Sequence, residues 1–533
     1  MTQGWWCLDS RFHSDWVIAL ASPPVVASPP PAASGPVNPL AMKSILRGSF
    51  FTVAMRWSDR LIGLVSTLVL ARLLVPADFG VIAMASLVIA LADVFFDLGV
   101  YVTLIQNRAP TQEHFNTAWT LGLLQSAVAA VVLFVAAPYA AVYFREPRVE
   151  DVIKVLGVSL LLSAFENIGV VTFQKEMRFG QDFVFMFSKR LSGFVVTVVA
   201  AWLLQSYWAL VIGTVVGRLM GVACSYWMHP MRPRLSLARL GDIMGVSQWL
   251  LARTAGGYLE SQLHRIVVGR RDDATVMGAY AMAGDISSMP STELLMPINR
   301  VLFPAFVKVK DDLQELKRVF LLAQGVQILV AIPASAGLAM VAPEVITLML
   351  GEKWLLAVPF MQIFAVAYLA SAMLSSASYL MITLDHVKAL ALFSWVQVGM
   401  FAMAAIWIFP AARALEIAWL RLAVSVASDA VFIWLLLRLF PPLKLLDLAR
   451  GAVRPLLGVV AMVVGLHLFG QSGAALAPWT ALVAKTLVGA LVYTLVVLGL
   501  WWAGGRPPGA ETFILDNLRK ALGQRRQPFR ETP

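Results

Sequence analysis

The chain has 533 residues, of which 59% are hydrophobic and only 14% charged, against roughly 45–50% apolar and about 25% charged in a soluble domain. Such a composition excludes a soluble globular enzyme, a disordered chain and a coiled coil, because apolar surface this abundant needs lipid as its solvent. The net charge is +11, but the basic residues are scattered between apolar runs, which is a pattern of membrane orientation and not of nucleic-acid binding. The two cysteines, Cys7 and Cys224, supply no disulfide framework and no thiolate metal site.

Residues 1–41 differ in character from the rest of the chain. Prolines 23, 24, 29, 30, 31, 36 and 39 predict an extended or disordered stretch. The apolar run from Val17 to Ala21 is too short for the core of a secretory signal. Met42 opens MKSILRGSFFTVAMRW, a basic start leading directly into a helix, and the expectation is that the natural start lies there.

Beyond Met42 apolar stretches succeed one another closely. The fold class expected is an all-α polytopic membrane protein with about fourteen helices, since backbone polar groups in lipid must be satisfied within each segment. They are placed at about 46–70, 79–105, 117–142, 152–173, 183–204, 207–228, 243–268, 276–305, 318–341, 355–382, 387–409, 413–438, 452–470 and 479–502. The expected divisions are a six-helix lobe over 42–229, a second over 230–440, two accessory helices over 441–503 and a basic tail over 504–533. The tail reads as a short amphipathic helix lying on the membrane face, with Ile514, Leu518 and Leu522 among Arg519, Lys520, Arg525 and Arg526.

Loop charges set the orientation. With the first end cytoplasmic, 23 Lys and Arg fall on that side, among them Lys43, Arg47, Lys175, Arg232, Arg239, Lys308, Lys317 and Arg450. Only 7 fall opposite: Arg72, Arg145, Arg148, Arg270, Arg271, Lys353 and Arg413. This asymmetry supports an even helix count with both termini cytoplasmic.

An internal repeat accompanies this pattern. Arg72-LLVPADF-Gly80-VI-Ala83-Met84-Ala85 and Arg270-RDDATVM-Gly278-AY-Ala281-Met282-Ala283 both read R-x7-G-x2-A-M-A, offset by 198 residues. Six predicted helices separate the copies, so both halves have the same orientation. Such a repeat predicts two pseudo-symmetric lobes with the substrate between them, rocking for alternating access. No phosphate loop, dinucleotide fingerprint, H-E-x-x-H or C-x-x-C occurs. Transport driven by nucleotide hydrolysis within this chain is therefore not expected. No cofactor is expected either, beyond a coupling H+ or Na+.

Ionisable residues inside spans are costly, on the order of 2.5–3.5 kcal/mol each at a helix centre, so they should face one another or a wet cavity. Arg56, Asp59, Arg60 and Gly63 share one helix face. Asp93 and Asp97 lie one turn apart; Arg253, Glu260 and His264 share another face, with Arg265 beside it. Asp285, Glu293 and Arg300 come next, with Pro290 and Pro297 expected to bend or interrupt their helix. One reading is a cavity in which Arg56, Arg60, Arg253, Arg265 and Arg300 bind substrate. In it Asp59, Asp93, Asp97, Glu260, His264, Asp285 and Glu293 couple an ion or balance charge. The other reading is structural ion pairs and snorkelling side chains, which is favoured for Lys189, Arg190 and Arg218. His264 either titrates near neutral pH or is a neutral hydrogen-bonded residue. Glu166, Arg421 and Asp429 lie elsewhere in the spans.

The stretch from Leu70 to Gln106 resembles the opening of Wzx-type polysaccharide flippases, as does Ser261 to Ile286 together with Pro297 to Asp312. The resemblance covers about Met42 to Arg450 and lies within the multidrug/oligosaccharidyl-lipid/polysaccharide exporter superfamily. It implies two six-helix lobes plus two helices in a bacterial inner membrane. The implied activity moves an undecaprenyl-pyrophosphate-linked oligosaccharide from the cytoplasmic to the periplasmic leaflet for exopolysaccharide or lipopolysaccharide synthesis. Bilayer lipid is the implied environment, and a polysaccharide polymerase and a chain-length regulator are implied partners. Arginines suit the diphosphate because they donate in a planar fork and stay charged. Two alternatives stand beside this: a cation-coupled drug or small-solute antiporter of the same superfamily, and a membrane polysaccharide polymerase or ligase. The last would need a sizeable outward loop, and the loops here are short.

Overall fold

The computed structural model describes residues 39–96, 100–106, 109–243, 248–471, 477–507 and 509–524. Contacts divide the chain into two compact units, residues 1–53 and 54–533. Most of the first, and with it nearly all of the proline-rich stretch, lies outside the described residues.

The described residues are helical and contain no strand. The first half comprises α1 (Pro39–Leu73), α2 (Pro76–Phe96), α3 (Val100–Gln106), α4 (Gln112–Phe144), α5 (Arg148–Ala164), α6 (Val171–Lys175), α7 (Phe179–Leu204) and α8 (Trp208–Met228). A short α9 (Leu240–Ile243) precedes the second half. That half holds α10 (Gln248–Arg271), α11 (Ala274–Lys308), α12 (Leu313–Met340), α13 (Ala342–Met349), α14 (Ala357–Met373), α15 (Ser375–Thr383), α16 (Val387–Met403) and α17 (Ala414–Leu439). Then come α18 (Leu445–Gln471), α19 (Pro478–Ala503) and α20 (Ala510–Gln524).

Among the described residues nine helices are long and apolar enough to cross a membrane, or ten if the bent pair after Arg148 is one span. The rest of the expected fourteen stretches are helical too. α14 is short, whereas α1, α10 and α11 have the length but are too polar by composition. Those three carry most of the candidate ionisable residues. A helix that cannot face lipid on all sides has to spend one side on water or on other protein.

Two expected spans are broken. The stretch 152–173 is α5, a single 3-10 turn at Ile168–Val170, and α6, bent by 68°. Buried Asn167 holds the bend. Its Oδ1 accepts from Gly169 N at 2.9 Å, its Nδ2 donates to the carbonyls of His229 and Met231 at 3.2 and 2.6 Å, and its own N–H donates to Ser225 Oγ at 2.9 Å. The stretch 355–382 is interrupted at Leu374. By contrast α11 runs through Pro290 and Pro297 without interruption, so the expected break there is absent.

The two ends of the bundle pack differently. At the end carrying Arg72, Arg145 and Arg270, the charge-poor end, one cluster of buried apolar side chains joins the halves: Val81, Met84 and Ala85 with Met277, Tyr280 and Ile346. Toward the charge-rich end the buried clusters separate by half. Leu104, Phe115 and Ile168 belong to one, Phe306, Phe320 and Phe432 to the other. Among the described residues, hydrophobic burial thus ties the halves at the charge-poor end and not at the other.

Beyond the second half, the accessory helices dock through polar contacts. Lys485 of α19 pairs with Glu344 of α13, Tyr493 Oη donates to Leu329 O at 2.9 Å, and Lys317 Nζ meets Asp447 at 2.6 Å.

Candidate functional site

The charge-poor end is closed by α2 crossing α11. Asp78 Oδ2 accepts from Val75 N at 3.2 Å, and Asp273 Oδ1 accepts from Val276 N at 2.8 Å, so each helix starts on its own aspartate. Four residues into α2, Gly80 lies against α11: a β-carbon there would come 1.8 Å from Ala274 O. Gly278 lies against α2, where a β-carbon would come 1.9 Å from Pro76 O. Only glycine permits this approach.

The repeat arginines reach across in the same way. Arg72 Nη2 donates to the carbonyls of Thr347 and Leu348 at 3.1 and 2.6 Å, at the end of α13. Arg270 Nη1 donates to the carbonyls of Val142 and Tyr143 at 3.3 and 2.8 Å, at the end of α4. Each therefore caps a helix C-terminus of the other half, where the end carbonyls and the helix dipole favour a cation. Lys353 adds to the first contact by donating to Arg72 O at 2.9 Å, and Trp354 Nε1 donates to Ala71 O at 3.0 Å. Burial first, then the Arg72 charge beside it, pull the Lys353 ammonium below the usual lysine range.

Away from this crossing the same helices expose charge. Residues 277–284 of α11 are all buried, whereas Asp285 and Glu293 are exposed. Glu293 is about 22 Å along the helix from Gly278 at 1.5 Å per residue. It pairs with Arg60 of α1, with side chains 41% and 51% exposed, so this bridge between the halves stays within reach of water. Asp59, the neighbour of Arg60, meets Arg190 of α7 at 3.1 Å. Arg265 Nη2 donates to Asp285 Oδ1 at 2.7 Å, linking α10 to α11.

The remaining candidates divide. His264 is 2% exposed, its Nδ1 lies 2.8 Å from Tyr280 Oη, and Tyr280 and Phe364 pack on its ring. Glu260 is partly buried, and its carbonyl accepts from Arg421 Nη1 at 3.2 Å. Arg56 and Asp93 are exposed. Asp97 and the side chains of Arg253 and Arg300 lie outside the described residues. The structure therefore brings together Arg60 with Glu293 and Arg265 with Asp285. It gives Lys189 to Glu166, and Arg218 to Leu156 O and Ser159 Oγ at 3.2 and 2.8 Å. In the sequence Arg72 and Arg270 count only as loop charges. Their equal place in both copies of the repeat was the signal for more.

The connection between the halves is stitched down rather than loose. The backbone N–H groups of Arg234, Ser236 and Arg239 donate to Asn116 Oδ1, Thr120 Oγ1 and Thr117 Oγ1 of α4 at 3.0, 3.0 and 3.2 Å.

The chain has relatives both in sequence and in fold. A family model described as "Polysaccharide biosynthesis protein" matches residues 69–359. The chain is 30% identical over 313 residues to the lipopolysaccharide biosynthesis protein WzxC of Escherichia coli (strain K12), covering 57% of this chain and 63% of that one. It thus spans less than two thirds of WzxC. It is 22% identical over 466 residues to the succinoglycan biosynthesis transport protein ExoT of Rhizobium meliloti (strain 1021), covering 86% and 93%. Among solved structures it shares the fold of the lipid II flippase MurJ in an inward closed conformation, with a TM-score of 0.67 and 13% identity over 85% of this chain and 99% of that one.

Proposed function

The chain belongs to the polysaccharide biosynthesis protein family, and from that premise we propose that it is a transporter, not an enzyme, moving a polyprenyl-diphosphate-linked saccharide from the cytoplasmic to the periplasmic leaflet of a bacterial inner membrane. The charge-rich end is taken as cytoplasmic, with both termini there. One observation carries the reading: among the described residues the halves share a buried core at the charge-poor end and have separate cores toward the other. A bundle pinned at one end and divided at the other has the shape of a carrier open toward the cytoplasm, with the Arg60–Glu293 bridge inside the opening.

The chemistry grows out of the residues. A diphosphate cannot cross hydrocarbon unaided, and Arg60, with Arg56 one turn away, offers it fixed donors. Bound phosphate would displace the Glu293 carboxylate from Arg60, exchanging one anion for another. Arg265 and Asp285, nearer the charge-poor end of α10 and α11, form a second such pair. Arg253 and Arg300 are proposed as additional donors. Asp93, Asp97, Glu260 and His264 are proposed to balance charge or carry a coupling H+ or Na+. The polyprenyl tail stays in the bilayer while the head group passes between the halves.

The test is complementation of a flippase-null strain, read beside lipid-linked saccharide accessibility at the outer leaflet. Arg56→Ala, Arg60→Ala and Arg253→Ala should each reduce transport strongly while the protein still inserts. Lys308→Ala, at the end of α11, is the control and should be nearly silent. If the arginine variants match the control, these residues are structural pairs and the cavity reading fails.

A further inference from the structure

Outside the proposed transport path, α12, α18 and α20 line a half-open cavity of about 760 Å³ at the charge-rich end. Four cations line it: Lys317 and Arg318 from α12, Arg450 and Arg454 from α18. Further along α12 and α18 its wall is mostly apolar, with Leu321, Ile328, Leu329 and Pro455 beside Gln324, and α20 adds the half-exposed Phe513. The lining is therefore amphiphilic, charged at one end and greasy at the other.

The charges are not all spent on one another. Lys317 meets Asp447 at 2.6 Å, and Arg454 meets Glu511 of α20 at 3.0 Å. Glu511 is only 6% exposed, so this pair anchors α20 to the bundle. Arg454 Nη1, a buried atom, makes no hydrogen bond with a described residue although it lies 3.0 Å from Glu511 Oε1. Arg450 makes no ion pair with a described residue, and Arg318 has only Glu315 at 3.6 Å. The third carboxylate of the lining, Asp516, lies 4.0 Å from Arg519 on its own helix. Arg318 and Arg450 thus present guanidinium donors to one space, and Arg454 lines it beside them while paired with Glu511.

We propose that this cavity binds an anionic phospholipid, its phosphate held by Arg318, Arg450 and Arg454 and an acyl chain lying along Leu321, Ile328 and Leu329. A phosphate takes several guanidinium donors at once, and basic pockets between transmembrane helices on the cytoplasmic side recognise anionic headgroups. The apolar depth selects a lipid over a free phosphate. A lipid seated there contacts α20 and the bundle together, so it cements the C-terminal helix. This proposal concerns binding and does not depend on what the central cavity transports.

The experiment measures thermal unfolding of the purified full chain in a neutral detergent. It is titrated with phosphatidylglycerol, phosphatidylcholine or inorganic phosphate. Phosphatidylglycerol should raise the Tm saturably and the other two should not. In Arg318→Glu/Arg450→Glu the apparent affinity should fall at least about thirty-fold, the loss expected for two basic contacts before the repulsion of two new carboxylates is added. Lys308→Glu/Lys310→Glu makes the same charge change elsewhere and should keep the full response. The pocket substitutions leave both anchoring pairs in place, and an unchanged lipid-free Tm checks this; if that Tm falls, Arg450→Gln replaces the double variant and should weaken the response alone. Equal shifts from both lipids, an equal shift from inorganic phosphate, or a response the pocket variants keep would overturn the proposal. So would an equal loss in the control pair.

Discussion

Gly80 and Gly278 are each other's counterpart at the crossing of α2 and α11. A β-carbon on the first would strike Ala274 O, and one on the second would strike Pro76 O. The two glycines are 198 residues apart, and so are Pro76 and Ala274. The contact is therefore repeated about an approximate two-fold axis, and its two members must separate if the charge-poor end is to open.

Enlarging either glycine should hold that end ajar. Overpacking a close contact costs about 1–3 kcal/mol, and here the clashing atoms are backbone carbonyls that cannot turn aside. In a background lacking Cys7 and Cys224, a cysteine at Ala281 should resist a membrane-impermeant thiol reagent in intact cells. Gly80→Ala or Gly278→Ala should make it reactive. Unchanged protection in both would show that the crossing yields without opening.

Arg72→Ala and Arg270→Ala should weaken the same closure from the other side of the contact. Each loses charge-assisted bonds to two helix-terminal carbonyls, where such a bond is worth roughly 1.5–3 kcal/mol. In both cases one terminal nitrogen bridges the two carbonyls. A lysine ammonium, with three donors on one atom, should therefore restore part of the closure. The Ala281 cysteine assay reads the order wild type, Lys, Ala in increasing reactivity.

Glu293→Gln should free Arg60 from its ion pair without removing the cation. Binding of a lipid diphosphate to the detergent-solubilised protein should tighten by about ten-fold, the factor for roughly 1.4 kcal/mol. Transport should nonetheless slow, since release requires the carboxylate to take the arginine back. Unchanged binding would place the pair in the architecture only.

Acid should loosen the bend between α5 and α6. His229 packs its ring against Gly169 and Phe173, with Nε2 3.3 Å from Thr172 Oγ1. Burial first, and the Arg178 and Arg232 charges against an opposing Glu176, hold this histidine below its usual range near 6.5. Between the folded and unfolded values the unfolded chain binds more protons, so stability rises with pH through that window and is full above about 6.5. A Tm profile falling below that pH, and flattened by His229→Gln, is the expected result.

Topology reporters fused after Arg239 and Lys310 should report cytoplasm, and one after Asp273 should report periplasm. A cytoplasmic signal from Asp273 would break the two-half arrangement.

Residue order alone was enough for an all-helical membrane fold and for the repeated motif. Long apolar runs in lipid have one way to satisfy their backbone, so α2, α4, α8 and α19 follow from composition and length. The charged helices α1, α10 and α11 were legible for the same reason, since each intramembrane charge marks a side that lipid cannot cover. Tertiary structure decided which charges meet. Arg60 and Glu293 are 233 positions apart, and nothing local chooses Glu293 over Asp59, which turns instead to Arg190. His264 meets Tyr280 Oη at its Nδ1, a partner on the next helix that no local pattern singles out. The break at Asn167 was equally hidden, because its partners Ser225, His229 and Met231 lie about sixty residues away. Matching glycines could be seen in both copies of the repeat, but their purpose could not: a missing side chain has meaning only when another backbone is shown filling its place.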